Sequence, residues 1–213
     1  MQEVWGQNSV LSFPAGRKRI SELPAKNRSM KKQAVWNRSR LSVFVRRNCD
    51  MALVFEHVKE SEADEVLTLY RSLVGTPFCA WTADYPARSD VEFDLSRNAL
   101  FCLRDEENGE IAGVISIDQD PKVESLTCWT PELQPGRELS RLGVREAYQN
   151  QGIARRLMTG AMEELRRQGF KSVHILVAKE NKKALASYKV FEYETVGACF
   201  LHEHDYWCYE KAL

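Results

Sequence analysis

LSRLGVREAYQNQGIARRL, residues 139–157, opens as an alternating strand through Leu142 and Val144. It breaks into a polar turn carrying Gln149, Gly152 and Ala154, and passes at once into an amphipathic helix. A strand, a glycine-containing turn and a helix N-terminus together make an anion site. First-turn N–H groups have no carbonyl partner inside the helix, and the macrodipole adds about half a positive charge there. Gly152 lets a phosphate come close to the backbone, and Ala154 is the next smallest choice. The turn has no Gly-Lys-Ser/Thr of a nucleotide P-loop and too few glycines for a dinucleotide fingerprint. What is left is a pyrophosphate held mainly by backbone amides, with Gln149, Asn150, Gln151, Gly152, Ile153 and Ala154 as the candidate residues.

Residues 172–197, SVHILVAKENKKALASYKVFEYETVG, extend the pattern. Val173, Ile175 and Val177 alternate as a strand. Asn181 then starts a short helix with Ala184, Leu185, Tyr188 and Phe191 on one side. Taken singly, Tyr188 reads as a core tyrosine, Asn181 as a helix cap and Gly152 as a tight turn. Taken in this order, Gln149-x-x-Gly152-x-Ala154 after a strand, then a strand, Asn181, Ala184 and Tyr188, the sequence resembles the acyl-CoA signature of the GNAT family, the Gcn5-related N-acetyltransferases. The likeness is to a bacterial-type, single-domain member. One departure stands out: the family usually follows its Tyr with Gly-Phe, where this chain has Glu192-Tyr193, and that difference concerns the geometry of the turn into the next strand.

The resemblance implies a fold of the α/β class: a mixed, mostly antiparallel twisted sheet with a splayed parallel strand pair and helices on both faces. It implies that the strand at Leu139–Val144 parts from that at Val173–Val177, so that backbone groups of residues 141–144, among them Leu142, Gly143 and Val144, bind pantetheine. It implies acetyl-CoA as co-substrate, with Asn181 on the pantetheine arm and Tyr188 donating a proton to the departing sulfur. An N–H of Leu142 or Val144 would serve the oxyanion. For the base, Glu138 is the first candidate, Asp118 and Asp120 are rivals, and a water chain is a further route. The acceptor is an amine of a small molecule or peptide, chosen by the loops at residues 75–88 and 118–137. Trp81, Tyr85 and Trp129 in those loops read equally as an aromatic wall or as satellite core. A non-catalytic acyl-CoA-binding sensor is the alternative function, and an edge strand near the C-terminus would support a homodimer.

The 213 residues carry no net charge, and 44% are hydrophobic, as suits one globular domain. No apolar run approaches the ~20 residues of a membrane span. Cys49, Cys79, Cys102, Cys128, Cys199 and Cys208 show no CxxC spacing, and with no secretory signal they read as reduced thiols of a cytoplasmic protein. His202 and His204 beside Cys199 and Cys208 read as a solvated strand face, with no metal expected. Residues 1–50 hold eleven Lys or Arg against three Asp or Glu, and their apolar periodicity is poor. They are expected either to be a basic extension without a packed core or to be an over-long gene start, since Arg46-Arg47 could be encoded AGG-AGG, a ribosome-binding core, just before Met51. A nucleic-acid arm and an organelle transit peptide are the other readings, and the net-acidic remainder makes nucleic acid an unlikely partner. Residues 51–213 are expected to be the acetyltransferase domain. Leu53 and Phe55 open its first strand, Ser61 caps its first helix, residues 119–137 form a loop, and Gly169 stops the helix that begins at Gly152.

Overall fold

The computed structural model describes residues 52–77 and 79–213. The expectations for residues 1–50 lie outside the described residues. Within them, the strongest sequence signals become the centre of the molecule. IAGVISID alternates nothing because both its faces are covered: as strand β3, Ile111–Asp118, it is buried along its whole length. It lies inside a seven-stranded sheet of order β1-β2-β3-β4-β5-β7-β6. Here β1 is Leu53–His57, β2 Leu100–Asp105, β4 Gly136–Val144, β5 Ser172–Ala178, β6 Glu194–Leu201 and β7 His204–Ala212. All neighbouring pairs are antiparallel except β4 with β5. The α/β class and mixed sheet are therefore as expected.

Helices α1 (Ala63–Leu73) and α2 (Arg88–Ser96) cover one face of the sheet, where Val66, Leu69, Tyr70 and Val91 pack on Leu100, Cys102 and Val114. On the other face lies α4 (Ile153–Arg167), whose Ile153, Leu157, Met158, Ala161, Met162 and Leu165 meet Phe101, Leu103, Ile115, Leu139, Val173 and Ile175. These six recur at helical spacing, which is why a chain segment so rich in arginine still folds as a core helix. Gly169 ends it with φ +87°. The Gly169 N–H donates to Arg166 O at 3.0 Å and the Phe170 N–H to Leu165 O at 3.1 Å, the paired bonds of a left-handed helix stop. Helix α5 (Lys182–Tyr188) follows β5 on the same side and packs Ala184, Leu185 and Tyr188 on this core.

Three boundaries differ from the expectation. Ser61 caps nothing. A 3-10 turn at Glu60–Glu62 precedes α1, and the Glu62 carboxylate accepts the Lys59 N–H at 2.9 Å instead. Residues 119–137 are not one loop. Asp120 caps a short helix α3 at Pro121–Glu124 by accepting the Lys122 N–H at 2.9 Å. A 3-10 turn follows at Pro131–Leu133, and β4 starts at Gly136, three residues before Leu139. Those three residues are the ones that pair with β5. Their polar side chains concealed a strand whose neighbour lies a crossover away.

Candidate active site

The site begins with a break in the sheet. β4 and β5 pair only at Gly136–Glu138 opposite Ser172–His174. Beyond that, Leu139–Val144 holds on to β3 alone and Ile175–Ala178 to β7 alone. A bulge in β4 lies beside the break. Ser140 faces Ser116 and Gly143 faces Val114, so two residues of β4, Arg141 and Leu142, oppose Ile115. Arg141 takes φ +45° there, a conformation that costs an ordinary residue about 1–2 kcal/mol. Its guanidinium supplies the compensation. It binds Asp94 with two bonds of 2.9 and 2.8 Å and Asp118 at 2.7 Å. Asp94 is fully buried and also accepts from Ser116 at 2.6 Å and Arg97 at 2.7 Å. Tyr70 donates its hydroxyl to the Arg141 carbonyl at 3.2 Å.

The opening between the strands is a cavity of about 1220 Å³. One end is the turn before α4. Gly152 has φ +80°, and a Cβ there would meet nothing within 4 Å, so the backbone twist rather than crowding demands glycine and the space above it is open. The first bond of the helix runs from the Arg156 N–H to Gly152 O at 3.1 Å, which leaves the preceding amides without a helical partner. Gln149 braces the turn, donating to Val144 O at 3.1 Å and accepting from Lys183 Nζ at 2.9 Å. Asn181 caps α5 through a 2.9 Å bond from the Ala184 N–H, so its carboxamide NH₂ is the group left for a ligand.

Of the residues expected to hold the cofactor, Leu142, Val144, Gln149, Asn150, Gly152, Ile153, Ala154 and Asn181 line this cavity, and Gly143 and Gln151 do not. A Cβ on Gly143 would stand 2.9 Å from Leu69 and 3.1 Å from Leu73, so this glycine admits α1 to the sheet. Gln151 turns away to donate to Ala147 O at 2.8 Å. The Ile153 side chain is core, leaving its amide for the cavity. Arg155 and Lys183 also line this end and were not singled out. A signal was present: α4 and α5 both begin with cations and no acidic residue in the first turn, against the preference of a helix N-terminus for negative charge.

The other end holds the titratable groups. Glu138 is 5% exposed, and its Oε2 has no hydrogen-bond partner among the described residues. It is thus no surface carboxylate. Burial, reinforced by Asp118 and opposed by Arg141, pushes its pKa up to about 8. Asp118 goes the other way: burial would raise it, but Arg141 overrides this and holds it below the usual carboxylate range. Asp118 is committed to that ion pair, and Asp120 to capping α3 and to His202 at 3.5 Å. Tyr188 lines the cavity from α5, half-buried, with its pKa pushed up to about 12 by burial. Its hydroxyl therefore stays protonated at neutral pH.

The aromatic residues divide. Trp81 and Tyr85 line the cavity. Trp129 is 7% exposed, stacks on His174 at 4.1 Å and donates its indole N–H to Val123 O at 2.7 Å, so it is core. Among the described residues no group of three or more His, Cys, Asp or Glu is placed to hold a metal, and no helix is long and apolar enough to cross a membrane.

Solved structures share this architecture. A chain of the NatC complex bound to Gag peptide and CoA superposes with TM-score 0.59 at 17% identity, covering 76% of this chain and 98% of that one. The ribosomal-protein-alanine N-acetyltransferase from Brucella melitensis gives 0.57 at 20%, covering 76% and 100%. An N-acetyltransferase from Staphylococcus aureus Mu50 gives 0.57 at 19%, covering 75% and 98%. At such identities the likeness is one of fold. No curated protein matches the chain in sequence. The sequence pattern of the acetyltransferase (GNAT) family, however, matches residues 66–193, which run from α1 through the split strands to the turn after α5. That span is more than half of the chain and contains the whole donor end of the cavity, and the protein belongs to the GNAT family of acetyl-CoA-dependent N-acetyltransferases.

Proposed function

We propose that this protein moves an acetyl group from acetyl-CoA directly to a primary amine within one ternary complex. The observation that supports this best is the parting of β4 from β5 beyond Glu138, which opens a slot with a first-turn amide cluster at one end and Glu138 at the other. The residues present suit the cofactor. The amides of Gly152, Ile153 and Ala154, with Arg155 and Lys183, suit a pyrophosphate. The unpaired edges of Leu142–Val144 and Ile175–Ala178 suit the amide-rich pantetheine arm, with the Asn181 NH₂ beside it. Acetyl-CoA bound there supplies an activated acyl carbon and a thiolate leaving group.

The chain's own groups then supply the proton transfers. An ordinary alkyl ammonium has a pKa of about 10.4 and cannot attack. The Glu138 carboxylate takes its proton, and the freed nitrogen forms a C–N bond to the acyl carbon. A β4 amide, of Leu142 or Val144, receives the oxyanion. As the C–S bond breaks, Tyr188 gives its proton to sulfur, and its oxygen is reprotonated by the proton that the nitrogen sheds. In sum an ammonium and acetyl-CoA become an amide, CoA thiol and one proton. The NatC complex, one chain of which shares this fold, is bound to a peptide and CoA, which supports a reading with two substrates.

Calorimetric titration of acetyl-CoA into the full chain and its Gly152→Glu variant tests the donor site. Glutamate at a left-handed position beside the pyrophosphate adds strain and repulsion together, so binding is expected in the wild type and not in the folded variant. A folded wild type that takes up no acetyl-CoA would overturn the reading.

A further inference from the structure

The two ends of the cavity differ in charge. Around the turn before α4 the lining holds Arg155 and Lys183 and no carboxylate, whereas the carboxylates of the lining, Asp90, Asp118, Asp120 and Glu138, lie at the far end with Arg141; the imidazoles of His202 and His204 also line the cavity. Arg141 is already spent, because with Arg97 it neutralises Asp94 and Asp118 in a closed group of two cations and two anions. That leaves Asp90, Asp120 and Glu138, none of which meets a Lys or Arg among the described residues. Asp90 accepts the Ala87 N–H at the start of α2 and Asp120 that of Lys122, so each is fixed in place with no Lys or Arg against it; His202, 3.5 Å from Asp120, offsets that charge only when protonated. Glu138 stands in the cavity wall, nine-tenths buried, with Oε2 unpartnered. Such an oxygen costs about 1–3 kcal/mol until a donor arrives.

Resting on the acetyltransferase reading above, we propose that the acceptor is a small linear polyamine, a primary amine on an unbranched alkyl stem with at least one further cationic nitrogen. The reacting nitrogen goes to Glu138, and Asp120 and Asp90 take the second charge. The slender stem follows from the burial of Glu138, which a branched α-amine approaches poorly. The second charge follows from two fixed carboxylates inside the same cavity that no Lys or Arg meets among the described residues. Tyr85 and Tyr206 also line the cavity, and aromatic rings attract methylenes and cations. The opposite charges of the two ends also separate an anionic cofactor from a cationic acceptor, so neither substrate competes for the other's place.

The test uses the full chain with acetyl-CoA and follows CoA thiol release. Two acceptors with the same stem, 1,4-diaminobutane and n-butylamine, differ only in the second charge. The diamine is expected to show at least fivefold higher kcat/KM. The gap should narrow as salt rises from about 50 mM to about 500 mM, because partly exposed carboxylates are screened, and it should narrow again in Asp120→Asn. The salt series needs no variant, so it stands even if Asp120→Asn folds poorly. Equal rates, a gap unmoved by salt, or turnover confined to a lysine-containing peptide run alongside would overturn the polyamine assignment. A chain that binds acetyl-CoA by calorimetry but ignores the diamine defeats this inference alone, whereas one that binds no acetyl-CoA defeats the transferase reading beneath it.

Discussion

Glu138 must shed a proton to act as a base, in surroundings that favour keeping it. Burial raises its pKa to about 8, so kcat/KM should climb with pH through an apparent pKa in that region. In Glu138→Gln the overall rate should fall at least tenfold and this limb should vanish. A retained limb in the variant would assign it to another group. The same shift makes a stability claim. The folded carboxyl holds its proton to higher pH than the unfolded one, whose pKa is about 4.3. Between these values the native state binds more protons, and stability falls as pH rises. Glu138→Gln carries no such charge, so above pH 8 it should be more stable than wild type by on the order of 5 kcal/mol, and near pH 4 the difference should be close to zero. Denaturant melts at the two pH values measure this. Tyr188 is the converse case, an acid whose pKa of about 12 keeps its proton available. Tyr188→Phe removes the donor and keeps the ring, so kcat should drop tenfold or more while acetyl-CoA affinity by calorimetry is unchanged. An unaltered kcat would take Tyr188 out of the reaction.

Among the elements, the turn after α5 shows what a departure from the family pattern costs. Glu192 occupies φ +54°, ψ +43°, the left-handed region in which the family usually has glycine. Glu192 bears the strain of that conformation, about 1–2 kcal/mol. Part of that is offset by the smaller entropy its unfolded chain loses. Glu192→Gly should therefore stabilise by roughly 0.5–1 kcal/mol, a rise in Tm of about 1–4 °C; a lower Tm would mean that the side chain holds the turn through contacts worth more than the strain. This position was legible in the sequence because the cause is local, and so were α4, β5 and Gly152. Each follows from periodicity or from one backbone angle. The bulge at Arg141 was not, because its anchor Asp94 lies 47 residues away and Arg141 reads in isolation as a surface strand residue. The burial of Glu138 was hidden for the same reason: its neighbours come from β5 and the segment before β4, and only the crossover brings them together. Trp129 reads in the sequence equally as wall or as satellite core, and its stacking partner His174, on β5, decides for core.

Across the whole molecule, the sheet is two pieces held together weakly at their seam. Strands β1 to β4 form one antiparallel half and β5 to β7 the other, joined through three residue pairs of β4 and β5 and through the core that α4 and α5 share. A ligand arm lying in the slot takes the place of the missing pairing, so binding should tighten both halves and not merely the turn that receives the pyrophosphate. At a hundredfold excess over Kd the linkage contribution is about 2.7 kcal/mol, which for a chain of this size corresponds to a Tm increase of about 5–11 °C. Amide exchange should slow on both sides of the slot, at Leu142–Val144 and at Ile175–Ala178, in addition to the Gly152–Arg155 turn. Protection limited to that turn would mean that the cofactor is held by its phosphates alone and that the slot does not grip pantetheine. Protection of β4 without β5 would mean that the arm pairs with one edge and leaves the seam as open as before. Only protection on both sides gives the parting of the strands the role proposed for it, a binding site made by leaving a sheet unfinished.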